Sequence, residues 1–255
     1  FNSYEFLVFF ALVLGLAALF RGRARQAMLL LASYAFYASW NAPFTLLLLF
    51  STTLDFFCGR GVARAASPWA RRAWLAASLI GGLGPLGYFK YGNFFVDNVA
   101  FVSGIDPAPF YLHMVIPLGI SFYTFQSISY TLDCWRGETP VCERFLDFAL
   151  YVSFFPHLIA GPILRASEFL PQLARRDPLR EDEMLRGIEL FLLGLFKKVV
   201  VADNLALLVD RVFGNPAGFG GAAVLVATWA FWAQIYCDFS GYSTMAQGLA
   251  ALLGF

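Results

Sequence analysis

The chain has 255 residues, of which 59% are hydrophobic and 14% are charged, and its formal net charge is +1. Soluble globular domains contain about 45–50% apolar and about 25% charged residues, so this composition leaves too little polar surface for a water-soluble fold. It indicates an integral membrane protein, and the small net charge gives no case for nucleic-acid binding.

Long apolar segments in the first half of the chain predict transmembrane helices, because a spanning helix needs about 20 mostly apolar residues. The predicted spans are Tyr4–Phe20, Ala27–Trp40, Phe44–Gly61 and Trp74–Phe95. An uncharged turn at 41–43 separates the second span from the third, and Pro85 with its neighbouring glycines is expected to break the fourth. The loops after the first and third spans are rich in arginine: Arg21, Arg23, Arg25, Arg60, Arg64, Arg71 and Arg72. Basic loops tend to stay cytoplasmic, so we expect the N-terminus outside.

The second half of the chain continues this pattern. The connector 96–113 contains acidic residues but no Lys or Arg, so it is predicted to be external. Met114–Cys134 then returns inward. Leu185–Asp210 and Ala222–Phe255 are predicted to be long helical segments.

The sidedness of Phe145–Leu164 has two solutions. The segment can cross completely, or it can enter the membrane and return on the same side. The loop that follows it, 165–186, carries five arginines, which favours a cytoplasmic loop and therefore a re-entrant segment. Breaks at Pro156 and at Gly161-Pro162 permit that path if protein covers the freed backbone groups.

These segments predict an all-α fold, a polytopic transmembrane helical bundle with re-entrant or broken helices. We expect residues 1–255 to form a single membrane domain that is the N-terminal part of a longer one. The chain begins at Phe1 rather than Met and ends inside an apolar segment, which is the reason for expecting a fragment.

Polar side chains form two helical stripes within the apolar segments. One set follows steps of three and four: Tyr123, Gln126, Tyr130 and Asp133. A second set does the same: Gln234, Asp238 and Tyr242. Polar groups inside a membrane normally face the bundle interior or a water-filled cavity, which predicts a polar interior. An equally good interpretation of either stripe is that its side chains form ordinary hydrogen bonds between helices.

The segment "FFPHLIAGPIL" places His157 between two prolines, in a chain with two histidines. A hydrogen-bonded buried imidazole is the simpler interpretation, and a functional group is the other. The four cysteines lack metal-ligand spacing and are expected to be packing residues: Cys58, Cys134, Cys142 and Cys237. The lysines of the apolar segments are expected to reach an interface: Lys90, Lys197 and Lys198. No metal, phosphate-loop or serine-triad motif is present in the sequence.

Five ordered motifs carry a family resemblance. They are "FKYGNF" (89–94), "IPLGISFYTFQSISYTLDCWRG" (116–137), "FPHLIAGPILR" (155–165), "FKKVVVADNLA" (196–206) and "YCDFSGYSTMAQGLAALLGF" (236–255). Together they closely resemble the bacterial branch of the membrane-bound O-acyltransferase (MBOAT) family, and within it the alginate O-acetylation subgroup. Teichoic-acid D-alanylation proteins are more distant relatives in this comparison.

The resemblance implies acyl transfer from a cytoplasmic donor, acetyl-CoA or another acyl thioester, to hydroxyls of an extracellular polysaccharide. No tightly bound cofactor is implied. Family members carry their main catalytic histidine in a Trp-His-Gly context, which this sequence lacks, so that residue is expected beyond residue 255. His157 is then an accessory base or positioning group. The expected tunnel-lining residues are Gln126, Tyr130, Asp133, Asp238 and Tyr242.

The resemblance also implies a multi-pass protein of the bacterial inner membrane, surrounded by membrane lipid. A periplasmic or membrane-anchored acetyltransferase is the expected partner for delivery to the polymer. Two other functions stay open: a transporter or flippase for a lipid-linked sugar, and a non-catalytic membrane partner of the periplasmic acetyltransferase. The acyl group can also be D-alanyl or another short acyl.

Overall fold

A computed structural model describes residues 1, 3–112, 115–159, 161–173 and 181–255. Within these ranges the regular structure is helical and no strand occurs, which confirms the all-α prediction. Short 3-10 turns lie at Ala108–Phe110 and Pro216–Gly218, and a π-helical stretch spans Phe196–Ala202. The α-helices are α1 (Tyr4–Leu19), α2 (Gly22–Arg64), α3 (Pro68–Ser103), α4 (Ile120–Arg136), α5 (Phe145–Ser153), α6 (Ala166–Leu173), α7 (Glu181–Leu195), α8 (Asp203–Phe213) and α9 (Gly221–Leu252).

Two of these helices, α2 and α9, are long and apolar enough to cross a membrane by length and composition, and α1 is a shorter apolar helix. The composition of the chain and the length of its apolar helices therefore both suggest a membrane protein. The α2 helix contains the two predicted spans 27–40 and 44–61, joined by a kink at Asn41, whose φ of −159° and ψ of 104° are not helical. The predicted turn at 41–43 is confirmed as this kink.

The expected break in the fourth span is wrong. The α3 helix runs without interruption from Pro68 to Ser103 with Pro85 inside it. A proline removes only one backbone donor, and flanking helices can absorb the local distortion in a packed bundle. His113 and part of the basic loop, residues 174–180, lie outside the described residues.

The chain divides into two compact units. The first comprises the described residues of 1–25, 160–162 and 176–255, and α7 and α9 form its main helix pair. A Cβ added at Gly187 would lie 3.0 Å from the carbonyl oxygen of Gly248, and one at Gly194 would lie 2.5 Å from that of Gly241. Because the two pairs run in opposite order along the chain, the helices are antiparallel. Small residues spaced by seven let the two backbones touch.

The second unit comprises residues 26–159 and 163–175, as far as they are described. In it α3 packs on α4 and α5 packs on both α4 and α6. Gly82 of α3 gives room to α4, because a Cβ there would lie 2.8 Å from Cδ1 of Ile128. Buried aromatic side chains fill the interior of this unit: Tyr37, Tyr123, Tyr130, Phe148, Tyr151, Phe154 and Phe155.

The connector after α3 is fastened to that helix by polar contacts. Asn93 Oδ1 accepts a hydrogen bond from the backbone N–H of Leu112 at 2.8 Å, and the Tyr111 hydroxyl donates to Asp97 at 2.5 Å. This hydrogen bond to the carboxylate raises the pKa of Tyr111 above its ordinary value. These contacts tie residues 111 and 112 back to α3.

Candidate functional site

The proline-flanked segment forms a turn at the end of α5. The helix ends at Ser153, and Phe154 has a non-helical backbone with φ −56° and ψ 111°. Pro156 cannot supply an N–H for a continuing helix, and the His157 N–H instead donates to the Phe154 carbonyl at 3.1 Å. A helix of nine residues is about 14 Å long, less than half of a bilayer's apolar thickness. The predicted break in Phe145–Leu164 is thus confirmed.

Three contacts hold this turn in place. The buried Phe155 N–H donates to Ser33 Oγ at 3.1 Å, and the Tyr151 hydroxyl donates to the Leu164 carbonyl at 2.9 Å. Gly119, at the start of α4, has φ +71°, and a Cβ there would lie 2.6 Å from the carbonyl oxygen of Leu158. A residue other than glycine would be strained by this conformation and would press on the turn.

His157 is buried, with 5% of its surface exposed. Its ring lies 5.8 Å from the Phe154 ring and 6.1 Å from the Phe169 ring, measured between centroids. Nε2 of His157 is 3.1 Å from Nε2 of Gln126, and the same Gln126 nitrogen donates to the Tyr151 carbonyl at 2.7 Å. The structure therefore brings together two of the predicted site residues, which are 31 positions apart in sequence.

The contact with Gln126 fits one tautomer of His157, although the donor and acceptor roles of the ring nitrogens depend on which of them carries the proton. A carbonyl oxygen only accepts hydrogen bonds, so the Gln126 atom facing Tyr151 must be the amide nitrogen. When that nitrogen directs its second hydrogen toward Nε2 of His157, Nε2 is the acceptor. In a neutral imidazole the other ring nitrogen, Nδ1, carries the proton. Nδ1 is buried and has no hydrogen-bond partner among the described residues. In this tautomer His157 presents an Nδ1–H donor that no described residue accepts.

The other members of the α4 stripe have different surroundings. Tyr130 is fully buried, and its hydroxyl accepts a hydrogen bond from the Cys142 N–H at 2.8 Å. Its ring lies against Gly59, where a Cβ would be 2.6 Å away. Asp133 is partly exposed near the end of α4, and its backbone carbonyl accepts from the Glu138 N–H at 2.9 Å. Tyr130 thus has a clear packing role, and a tunnel-lining role for Tyr130 and Asp133 stays a prediction.

Asp238 and Tyr242 belong to the first unit, on α9. Asp238 forms an ion pair with Lys198 at 2.7 Å, and the same ammonium reaches Asp203 at 2.9 Å. The Tyr242 ring stacks on the Phe1 ring with centroids 4.5 Å apart. The structure thus gives the second stripe charged and aromatic neighbours within its own unit. A tunnel-lining role for Asp238 and Tyr242 also stays a prediction.

The π-helical stretch places its two lysines against α9. Lys197 Nζ donates to Ser240 Oγ at 3.1 Å and to Thr244 Oγ1 at 3.2 Å, while Lys198 pairs with Asp238. Widened helical turns of this kind are frequent at functional sites. The sequence predicted that these lysines reach a membrane interface and did not predict their contacts with α9. The polar residues that they contact were nevertheless visible in the motif 236–255.

A buried carboxyl on α2 was also missed. Asp55 is 0% exposed, and it interrupts the predicted span Phe44–Gly61 as its single acidic residue. An ionisable residue inside a span is a functional candidate by default, so this signal was available. The four cysteines are free thiols, three of them buried, which agrees with the packing role. Within the described ranges, no cluster of His, Cys, Asp or Glu could hold a metal ion.

Comparison of the sequence with known proteins identifies a protein family. Residues 141–255 match the model of MBOAT, the membrane-bound O-acyltransferase family. The match includes the His157 turn, the π-helical lysines and the polar stripe of α9. The family relationship indicated by the motifs is confirmed, and it extends beyond the matched residues, as individual relatives show.

Over its whole length the chain is 43% identical to the protein named probable alginate O-acetylase AlgI of Pseudomonas aeruginosa, of which it covers 49%. It is 34% identical to the peptidoglycan O-acetyltransferase of Helicobacter pylori, over 87% of the chain and 46% of that protein. A teichoic acid D-alanyltransferase of Bacillus subtilis is 24% identical over 54% of the chain. The chain spans about half the length of the curated relatives it matches.

Proposed function

We propose that the protein works as part of a membrane O-acetyltransferase that acetylates hydroxyls of an extracellular polysaccharide such as alginate. Support comes from the whole-chain identity to a probable alginate O-acetylase and from the similarity to a peptidoglycan O-acetyltransferase. The donor is acetyl-CoA or another acyl thioester on the cytoplasmic side. The chain lies in the bacterial inner membrane as a multi-pass protein, and residues 1–255 act as one membrane domain within a longer enzyme.

Within this function His157 is a positioning residue. The observation that supports this role is the Gln126 amide nitrogen shared between the Tyr151 carbonyl and Nε2 of His157. A group acting as base needs a free lone pair at the reacting proton. In the tautomer that we propose for His157, the Gln126 amide occupies the lone pair of Nε2 and Nδ1 carries the proton. Its Nδ1–H is suited to hold an oxygen atom of the acyl group or of the acceptor.

The residue that removes the proton of the acceptor hydroxyl is therefore a different one. In the family resemblance that role belongs to a histidine in a Trp-His-Gly context, beyond residue 255. A positioned base contributes about 10²–10⁴-fold to the rate, and a hydrogen-bond donor aimed at the tetrahedral oxyanion contributes separately. The remaining stripe residues line the path of the acyl group in this proposal: Gln126, Tyr130, Asp133, Asp238 and Tyr242.

A periplasmic or membrane-anchored acetyltransferase is the proposed partner, because the polymer is large and external while the acyl group arrives through the membrane. Acyl transfer then has two stages. The membrane protein transfers the acetyl group from the thioester to a hydroxyl of an external acceptor, which releases the free thiol, and the partner transfers it from that ester to a sugar hydroxyl, which frees the first hydroxyl again. In this proposal the two substrates are the acyl thioester, which is the donor, and the polysaccharide, which is the final acceptor.

Reconstitution tests the function. The full-length protein, in vesicles with its donor-binding face outward, receives acetyl-CoA labelled in the acetyl group. We expect labelled acetyl on an acceptor enclosed in the vesicle, and no transfer with boiled protein. Movement of a lipid-linked sugar without labelled acetyl would favour a flippase. Transfer that depends on the partner and survives removal of the Trp-His-Gly histidine would favour a non-catalytic subunit.

A further inference from the structure

Asp55 is a fully buried carboxyl in α2, a helix long and apolar enough to cross a membrane. Its side chain faces α3 and α4 rather than solvent. Placing an ionised carboxylate in such surroundings is costly, because the interior offers little to replace the lost hydration. The site therefore depends on which groups face the two carboxyl oxygens.

Oδ1 of Asp55 faces hydroxyl groups from two other helices. Ser78 Oγ of α3 donates a hydrogen bond to Oδ1, and Thr131 Oγ1 of α4 donates to the same atom at 3.4 Å. Both serine and threonine are fully buried. A single carboxyl oxygen thus connects three helices, through partners that carry no charge.

The charge of an ionised Asp55 would have no counterpart. None of the described residues forms an ion pair with it. The buried hydroxyl of Ser127 on α4 also reaches the carboxyl, and it carries no charge either. The other titratable group that faces it is the thiol of Cys58, one turn further along α2 and fully buried. A neutral thiol cannot balance a carboxylate.

We propose that Asp55 is a proton-binding site: it is a neutral carboxylic acid in the folded protein, and it holds α2, α3 and α4 in register. The proton resides on Oδ2, because Oδ1 already accepts hydrogen bonds from Ser78 and Thr131. The acid O–H can then donate to the Ser127 hydroxyl, a water molecule or a ligand. This role is independent of the acyl transfer proposed above.

The test uses the purified full-length protein in detergent. Asp55→Asn keeps a neutral group with one accepting oxygen, so its thermal unfolding midpoint should stay within about 2 °C of wild type. Asp55→Leu removes the acceptor and leaves the buried hydroxyls of Ser78 and Thr131 without it. Its midpoint should fall by several degrees more than that of Asp55→Asn.

Infrared spectroscopy detects the protonated carboxyl group directly, and its result does not depend on differences in stability between the variants. At neutral pH the wild type should show the carbonyl stretch of a protonated carboxylic acid, absent from Asp55→Asn and retained in Asp106→Asn, an exposed control. The proposal is overturned if the wild type lacks this band, or if Asp55→Asn is as unstable as Asp55→Leu. A wild-type midpoint that rises with sodium but not with choline chloride would also overturn it, since it would indicate a carboxylate that binds Na⁺.

Discussion

The close approach of α7 and α9 leads to a sharp prediction for Gly194→Ala. A Cβ at this position would lie 2.5 Å from the carbonyl oxygen of Gly241 and 2.6 Å from the backbone nitrogen of Met245. Both neighbours are backbone atoms of a helix, so neither can move aside by changing a rotamer. The two helices must separate, which breaks contacts along the whole pair.

The size of the effect follows from overpacking. An extra carbon forced into a packed interface destabilises by about 1–3 kcal/mol, and each kcal/mol lowers the midpoint by about 2–4 °C in proteins of this size. Gly248→Ala should behave alike, because its Cβ would lie 2.6 Å from the Gly187 carbonyl oxygen. Gly187→Ala should be milder, because its nearest contact is the side chain of Leu252 at 2.9 Å and its nearest backbone atom, the Gly248 carbonyl oxygen, is at 3.0 Å.

Thermal unfolding of the full-length protein in detergent measures this order. Gly15→Ala on α1 is the matched control, because nothing lies within 4 Å of a Cβ there. Replacing an exposed helical glycine by alanine should stabilise by about 0.5–1 kcal/mol. If Gly194→Ala unfolds at or above the wild-type midpoint, the close-packed helix pair is wrong.

Three further substitutions separate packing from surface charge. Tyr130→Phe should lower the free energy of unfolding by about 1–3 kcal/mol, because the buried Cys142 N–H loses its acceptor; an unchanged midpoint would exclude that hydrogen bond. Gly119→Ala should cost at least about 1–2 kcal/mol from its left-handed backbone alone, and a neutral result would show that the turn adjusts. Asp238→Asn should change stability by less than about 1 kcal/mol, because the ion pair with Lys198 is half exposed, and the difference should shrink in high salt.

The helical architecture could be predicted from the sequence because hydrophobic length and turn residues are local signals. The kink at Asn41 and the end of α5 before Pro156 were both visible as such signals. The continuity of α3 through Pro85 was not, because neighbouring helices decide whether a proline interrupts a packed helix. The π-helical stretch at 196–202 likewise has no pattern in the sequence that distinguishes it from an α-helix.

The candidate site was predictable only in its residue types. Gln126 and His157 were both singled out, but their contact depends on how the turn folds back beside α4. Asp238 was predicted as a member of a polar stripe with Gln234 and Tyr242, and its ion-pair partner Lys198 comes from a different helical segment. Asp55 shows the opposite case, since a single acid in an apolar span is a local signal and the structure adds its hydroxyl partners.

The central claim is that His157 positions a reacting oxygen through Nδ1–H and does not act as the base. His157→Asn can place an amide N–H near the position of Nδ1, whereas His157→Gln reaches toward Nε2 and His157→Ala supplies neither group. If His157 acts as a positioning residue, polysaccharide acetylation by the full-length Asn variant should stay within about tenfold of wild type, because its amide keeps an N–H donor near the position of Nδ1, whereas loss of a donor aimed at the oxyanion costs about 10²–10³-fold. The Gln and Ala variants should fall well below it at equal unfolding midpoints.

Acetyl incorporation into the polymer, compared between His157→Asn and His157→Gln at matched expression, is therefore the most direct measurement. The account predicts that Asn retains clearly more activity than Gln. Loss of about 10²–10⁴-fold in both variants, the amount expected when a general base is removed, would contradict it and assign the base role to His157.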